Sequence, residues 1–156
     1  MKQLEILLVE DSPSDVRLIH EALRETGVNI SVRVAQDGLE GMEYLRQAEC
    51  GARRCPDLVL LDWNLPRKNG REVLAELKSS AGLKQIPVLV MTSSAEEKDV
   101  HDAYALNANS FITKPADLNQ YVNTIRAIEA FWFFTATLPS NWRQPRPAQS
   151  TKSVHA

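Results

Sequence analysis

Asp57-Leu58-Val59-Leu60-Leu61-Asp62-Trp63-Asn64-Leu65-Pro66-Arg67-Lys68-Asn69-Gly70 is the stretch that decides the fold. Four apolar residues run straight into an acid, and a segment rich in Pro, Asn and Gly follows. A short unbroken apolar run bounded by turn residues reads as a strand covered on both faces. Such strands belong to parallel sheets flanked by helices, and the ligands of those sheets bind beyond the carboxyl ends of the strands. Asp62 stands at that end. A carboxylate is costly to bury without partners, so its partners are expected at the ends of neighbouring strands.

Upstream, Leu4 to Val9 reads as a strand that ends in Glu10-Asp11. Ser12 is a good N-cap, Pro13 suits the first helical position, and Asp15 favours the positive end of the helix. Val16, Ile19 and Leu23 share one face of that helix, and Gly27 stops it. Ile30, Val32 and Val34 alternate with Ser31 and Arg33, which predicts a half-exposed edge strand. Asp37-Gly38 opens a second helix with Leu39, Met42 and Leu45 inward. Residues 47–56 show no period and read as a loop.

Downstream, Asn69-Gly70 starts a third helix with Val73, Leu74 and Leu77 inward. Pro87 to Met91 is apolar and runs into Thr92-Ser93-Ser94. Ser94 and Glu97 have the spacing of a capping box for a helix carrying Val100, Ala103 and Tyr104. Ser110 to Ile112 is a short strand, followed by Thr113-Lys114-Pro115. Asp117 caps a last helix with Leu118, Tyr121, Val122, Ile125 and Ile128. Strand and helix alternate five times, which implies βαβ units and right-handed crossovers. The predicted class is α/β with a doubly wound parallel sheet, for which the flavodoxin-like order 2-1-3-4-5 is one arrangement. One domain is expected over 1–139, and the Ser-, Gln-, Arg- and Pro-rich segment 140–156 reads as a mobile tail.

The bulk properties exclude several classes. The chain has 156 residues, 44% of them hydrophobic, which suits one domain with a sizeable core. A formal net charge of -2 gives no support for nucleic-acid or anionic-membrane binding. No apolar run approaches the ~20 residues of a membrane span, and the start of the chain lacks the pattern of a signal peptide. Cys50 and Cys55 cannot close a zinc site by themselves and read as two reduced thiols of a cytoplasmic protein.

The strand ends carry Glu10-Asp11, Asp62, Thr92-Ser93 and Lys114-Pro115. In the order 2-1-3-4-5 the first and third strands flank the switch point, which places Asp11 and Asp62 across one crevice. Carboxylates gathered there repel one another unless a cation neutralises them, and hard oxygen ligands suit Mg2+. A carboxylate beside such a cation can attack a phosphoryl group to form an aspartyl phosphate. Lys114 offers a cation and Thr92 a hydroxyl for the negative charge of the transferred group.

These residues identify a resemblance to response-regulator receiver domains, from about Leu4 to Phe131. The matching motifs are Glu10-Asp11, Asp62 with Pro66 and Gly70 behind it, Thr92, and Lys114-Pro115. The resemblance implies that Asp62 is the phosphoacceptor. It implies that Asp11 and Asp62 ligate Mg2+ with their side chains, Asn64 with its backbone carbonyl, and Glu10 through a water. It implies that Thr92 and Lys114 contact the phosphoryl group, that Phe111 holds an aromatic switch position and strongly prefers burial, and that the Lys114–Pro115 bond is cis. The implied phosphoryl donor is a sensor histidine kinase. The segment 47–56 and the ending from Ala127 to Pro139 are further similar to the single-domain response regulators paired with cyanobacterial-type phytochromes.

Two rival functions are weighed on residues. Phosphatases of the haloacid-dehalogenase type also form an aspartyl phosphate after a strand, but carry a second acid two residues on. Here that position is Asn64, which cannot exchange a proton. A transcription regulator would need a DNA-binding segment, and the residues after Phe134 show no recognition-helix pattern. Phe131-Trp132-Phe133-Phe134 is a further signal. At ~100° per residue four consecutive aromatics point in four directions, and one core face cannot bury them all. Either the tail folds back over some of them or a partner covers them, and a partner is favoured: a homodimer is predicted through the last helix, where Tyr121, Ile125, Ile128 and Trp132 share a face, and through the aromatic extension, where Phe131, Phe133 and Phe134 are left to be buried.

Overall fold

The computed structural model describes residues 3–25 and 27–139. Five strands and five helices alternate: β1 (Leu4–Val9), α1 (Pro13–Arg24), β2 (Ile30–Ala35), α2 (Gly38–Glu49), β3 (Leu58–Leu61), α3 (Gly70–Ser79), β4 (Val88–Thr92), α4 (Glu97–Ala105), β5 (Ser110–Thr113) and α5 (Leu118–Glu129). A π-helical turn, Ala130–Thr135, continues α5. The sheet is wholly parallel, as the alternation of elements predicts, and its order is the expected flavodoxin-like β2-β1-β3-β4-β5.

The sheet divides the core in two. Leu7, Val9, Val59, Leu61, Val88 and Val90 point to the layer of α2, α3 and α4. Ile6, Leu8, Leu58, Leu60, Leu89 and Met91 point to α1 and α5. Every residue of β3 and β4 is buried, which is why these strands read as continuous apolar runs. β2 stands at an edge and is only partly covered, in keeping with its period of two. Among the described residues, no helix is long and apolar enough to cross a membrane.

Several local expectations are corrected. α2 runs through Glu49, three residues into the expected loop, because Ala48 still lies on its buried face. Gly51, at φ +87°, is the first residue that breaks the chain away. Leu39 is 46% exposed, since it sits about 60° round the helix from Met42 and about 120° from Leu45. The capping box of Ser94 and Glu97 does not form: α4 starts from Glu96 without a side-chain cap, and Ser94 Oγ donates to Asp99 Oδ2 at 2.6 Å. A capping box forms instead at Asn69 and Glu72, at the head of α3. All peptide bonds among the described residues are trans, Lys114–Pro115 included. A residue before proline prefers trans by only about 0.5–1 kcal/mol, so local context decides the isomer.

The aromatic extension differs most. Tyr121, Ile125 and Ile128, the shared face of the last helix, are buried in the domain's own core, and Phe133, expected among the rings left for a partner, turns to that core as well. Trp132 and Phe133 pack against the same cluster, whereas Phe131 and Phe134 are 51% and 67% exposed. The wider π-helical turn, closed by the Ala136 amide on the Phe131 carbonyl at 2.7 Å, sorts the four rings into two inward and two outward. The segment 140–156, expected to be a mobile tail, lies outside the described residues.

Candidate functional site

Register brings the acids together. Val9 is paired with Leu61, so β1 and β3 leave the sheet at one level and deliver Glu10 and Asp62 side by side. The Asp62 amide donates to the Val9 carbonyl at 3.0 Å, and the Glu10 amide donates to the Ala35 carbonyl at 2.9 Å. The next residues turn away into helices. Ser12 caps α1 by accepting from the Asp15 amide at 3.4 Å, and Glu10 Oε2 accepts from the Ser12 amide at 3.2 Å. On the other side, the Asn69–Glu72 capping box starts α3, and the Gly70 amide donates to the Trp63 carbonyl at 2.9 Å.

Two glycines let backbones approach closely around Asp62. A Cβ at Gly70 would lie 2.3 Å from the Asp62 carbonyl oxygen, and one at Gly38 would lie 1.9 Å from the Lys68 carbonyl oxygen. Both helices therefore pack their first residues directly onto the segment that follows β3. In that segment Arg67 adopts φ +65°, and its Nε lies 3.0 Å from Asp37 Oδ2, the cap of α2. The loop carrying Asp62 is thus held from two helices.

Glu10, Asp11 and Asp62 each offer a carboxylate oxygen, and these oxygens lie within 4.8 Å of one another. Glu10 and Asp62 are buried and Asp11 is exposed, so the cluster opens to solvent on one side. Lys114 closes the other side. Its Nζ lies 2.6 Å from Glu10 Oε1, 2.9 Å from Asp15 Oδ2 and 3.5 Å from Asp62 Oδ2. Burial pushes Glu10 up to about 7; the Lys114 hydrogen bond pulls it back and the Asp62 charge adds to the rise. Burial alone would lower Lys114, but its bonds to Glu10 and Asp15 and the Asp62 charge outweigh it, so the ammonium is firmly charged. One cation thus faces a cluster of several acids. The donor set is of hard oxygens with an open side, which fits a divalent ion.

The other expected residues are placed as follows. The Asn64 amide donates to Asp62 Oδ1 at 3.3 Å, so the loop backbone folds back over the acceptor. Thr92 ends β4 fully buried. Its carbonyl accepts from the Lys114 amide at 2.8 Å, and its hydroxyl accepts from the Ser94 amide at 3.5 Å. Thr92 and Lys114 are therefore neighbours at the strand ends, but the Thr92 hydroxyl engages its own loop and not Asp62. Phe111 stands outside the acid cluster. It is half-buried, packed against the α2–α4 side of the core, and its amide donates to Tyr104 Oη at 3.1 Å. The strong burial expected of Phe111 is not seen because β5 is an edge strand with a neighbour on one side only.

Sequence reasoning missed Asp15 as a member of this constellation and gave it only a role at the helix N-terminus. The available signal was its position in the first turn of the helix that starts at the site. Asp15, Lys114 and Tyr121 line one side of a cleft of about 960 Å³ between α1 and the start of α5. Tyr121 is 5% exposed, and among the described residues its hydroxyl closes no full hydrogen bond, although the Asp15 carboxylate lies near enough to act on it. Burial, then the nearby Asp15 charge, pushes this phenol up, so it keeps its proton.

Comparison with known proteins agrees with this geometry. The family model "Response regulator receiver domain" matches residues 6–126. The chain is 45% identical over 136 residues to the response regulator Rcp1 of Synechocystis, covering 86% of this chain and 92% of that protein. The crystal structure of the phosphorylated cyanobacterial phytochrome response regulator RcpA superposes with a TM-score of 0.85 at 50% identity, covering 89% of this chain and all of that one. The Mn2+-bound form of Rcp1 superposes with a TM-score of 0.82 at 44% identity, covering 87% and 99% of the two chains.

Proposed function

The chain belongs to the response regulator receiver domain family, and from that premise we propose that Asp62 accepts a phosphoryl group from a sensor histidine kinase of the phytochrome type. The observation that carries the reading is the gathering of Glu10, Asp11 and Asp62 within 4.8 Å at the switch point, with Lys114 against them. The protein is a signalling module over 1–139, cytoplasmic, and promotes only its own phosphorylation and dephosphorylation. The similarity to the cyanobacterial phytochrome response regulator RcpA supports the choice of kinase. The haloacid-dehalogenase-type alternative gains nothing: the amide of Asn64, with no exchangeable acid, still stands where that chemistry needs a proton donor.

The residues divide the work. Asp62 supplies the attacking oxygen. The Lys114 ammonium is placed to bond the phosphoryl oxygens. Thr92, at the end of the adjacent strand, would turn its hydroxyl from Ser94 to the same group. Asp11 and Asp62 would hold Mg2+ with their side chains, Asn64 with its carbonyl and Glu10 through a water. When bound, that ion offsets the repulsion among the acids and the charge of the phosphoryl donor. Phe111, two positions before the end of β5, would carry the change outward by moving further into the core. Chelation with EDTA is therefore expected to stop phosphoryl uptake from an acyl-phosphate donor while the circular dichroism stays native. Uptake at the full rate in EDTA would remove the metal from the mechanism.

The signal leaves through protein contacts. Phe131 and Phe134 are exposed on the outer side of the π-helical turn, and we assign them to a homodimer interface. Burying one such ring is worth roughly 1.5–3 kcal/mol, and a two-fold axis doubles each contribution. Phe131→Ser with Phe134→Ser is expected to shift the association midpoint in sedimentation by at least tenfold, about 1.4 kcal/mol. Association as tight as in the wild type would place the interface elsewhere. Phe133 is the internal control, because it packs on its own domain and its loss should lower stability first.

A further inference from the structure

Lys114 has one carboxylate partner more than the acid cluster supplies. An ammonium has three donors, and here they meet Glu10, Asp15 and Asp62. Glu10 and Asp62 belong to the cluster that can hold a cation; Asp15 does not. Asp15 is fixed on the first turn of α1, with its amide on Ser12 Oγ. At 2.9 Å it lies closer to the ammonium than the acceptor Asp62 does at 3.5 Å. In this state Lys114 therefore leans towards α1.

The Tyr121 hydroxyl presents the complementary anomaly. It is buried, it closes no full hydrogen bond among the described residues although Asp15 lies near enough to act on it, and it lines the same cleft as Asp15 and Lys114. An unsatisfied buried hydroxyl costs about 1–3 kcal/mol, so a second state in which it is used would account for it. Phosphorylation replaces the single charge of the Asp62 carboxylate with close to two on the phosphoryl oxygens and draws the ammonium across. Asp15 then loses its cation in a partly buried place, which is costly unless a donor replaces it. Tyr121 is the donor within reach.

We propose that Asp15 and Tyr121 are positioning residues for Lys114: Asp15 holds the ammonium off Asp62 before phosphorylation, and the Tyr121 hydroxyl becomes the donor to Asp15 when Lys114 turns to the phosphoryl group. This rests on Asp62 being the acceptor. Structural roles for both residues exist, Asp15 at a helix N-terminus and Tyr121 in the core, but they predict changes in stability alone.

The test uses beryllofluoride with Mg2+ as the phosphoryl mimic, titrated against the full chain and read by the change in tryptophan fluorescence, to which Trp63 beside Asp62 contributes. Asp15→Asn frees Lys114 and should tighten binding, and Tyr121→Phe should weaken it, each by roughly tenfold to a hundredfold, the range of a hydrogen bond to a charged group. The double variant should match Asp15→Asn, because Tyr121 acts only through the Asp15 charge. Tyr121→Phe should also leave the thermal midpoint unchanged or higher, since it removes an unsatisfied buried group. Unchanged affinity in Tyr121→Phe, or a penalty that persists in the Asp15→Asn background, overturns the exchange of partners. A wild type that binds no better than Asp62→Asn instead removes the acceptor itself, and this inference with it.

Discussion

Asp62→Asn is expected to reduce phosphoryl uptake to background while the protein stays folded. The amide is nearly isosteric with the carboxylate but offers no nucleophilic oxygen. The side chain is only 8% exposed, so a change of shape there would be felt, but a change of charge alone is tolerable. At the 4.8 Å limit of the cluster, two carboxylates repel by roughly 3 kcal/mol at an effective dielectric of ~20. Removing one of them offsets the lost attraction of Lys114 at 3.5 Å. The thermal midpoint should therefore match or exceed that of the wild type. The measurement is incorporation of hydroxylamine-labile phosphate from an acyl-phosphate donor with Mg2+. Incorporation at the wild-type level would name another residue as acceptor.

Gly70→Ala and Gly38→Ala should destabilise the fold by about 3 kcal/mol or more, at or beyond the upper end of the usual cost of overpacking. Intrinsic helix propensity argues the opposite, since both glycines begin helices and alanine is favoured by up to ~1 kcal/mol in a helix interior. The close contacts decide the sign. The added methyl meets backbone, the Asp62 carbonyl oxygen at 2.3 Å or the Lys68 carbonyl oxygen at 1.9 Å, and backbone cannot rotate out of the way. Gly70→Ala should also weaken beryllofluoride binding, because the atom it displaces belongs to Asp62. Gly82→Ala is the control: its methyl meets the flexible Glu49 side chain at 3.1 Å and should cost less than about 1 kcal/mol. Urea unfolding of the three variants provides the comparison. Equal stability in all three would show that the helix ends can shift without cost.

Much of the fold and the site is legible in the amino-acid sequence. Residues 58–61 and 88–91 are unbroken apolar runs because their strands are covered on both faces, and β2 alternates because one face is open. The acids and Lys114 were legible because strand ends are marked by turn residues, and a parallel sheet lines those ends up. Helix boundaries were less so. The end of α2 at Glu49 and the failed capping box at Ser94 depend on which neighbours compete for the same backbone and hydroxyl groups.

The sequence by itself determined the α/β class, the parallel sheet and the acids at the strand ends, because period and capping residues are local properties, whereas the order of the strands depends on how the βαβ units pack. Only the tertiary structure decided the partners of groups far apart in the chain. Lys114 and Asp15 meet across 99 positions, and nothing in the sequence around Asp15 distinguishes it from an ordinary first-turn acid. The direction of the four aromatics was likewise undecided: a regular helix spreads them evenly, and the π-helical turn, seated on the α1–α5 side of the core, turns Trp132 and Phe133 in and leaves Phe131 and Phe134 out. Local sequence sets which elements form, whereas the packing of those elements chooses which side chain each charge and each ring will face.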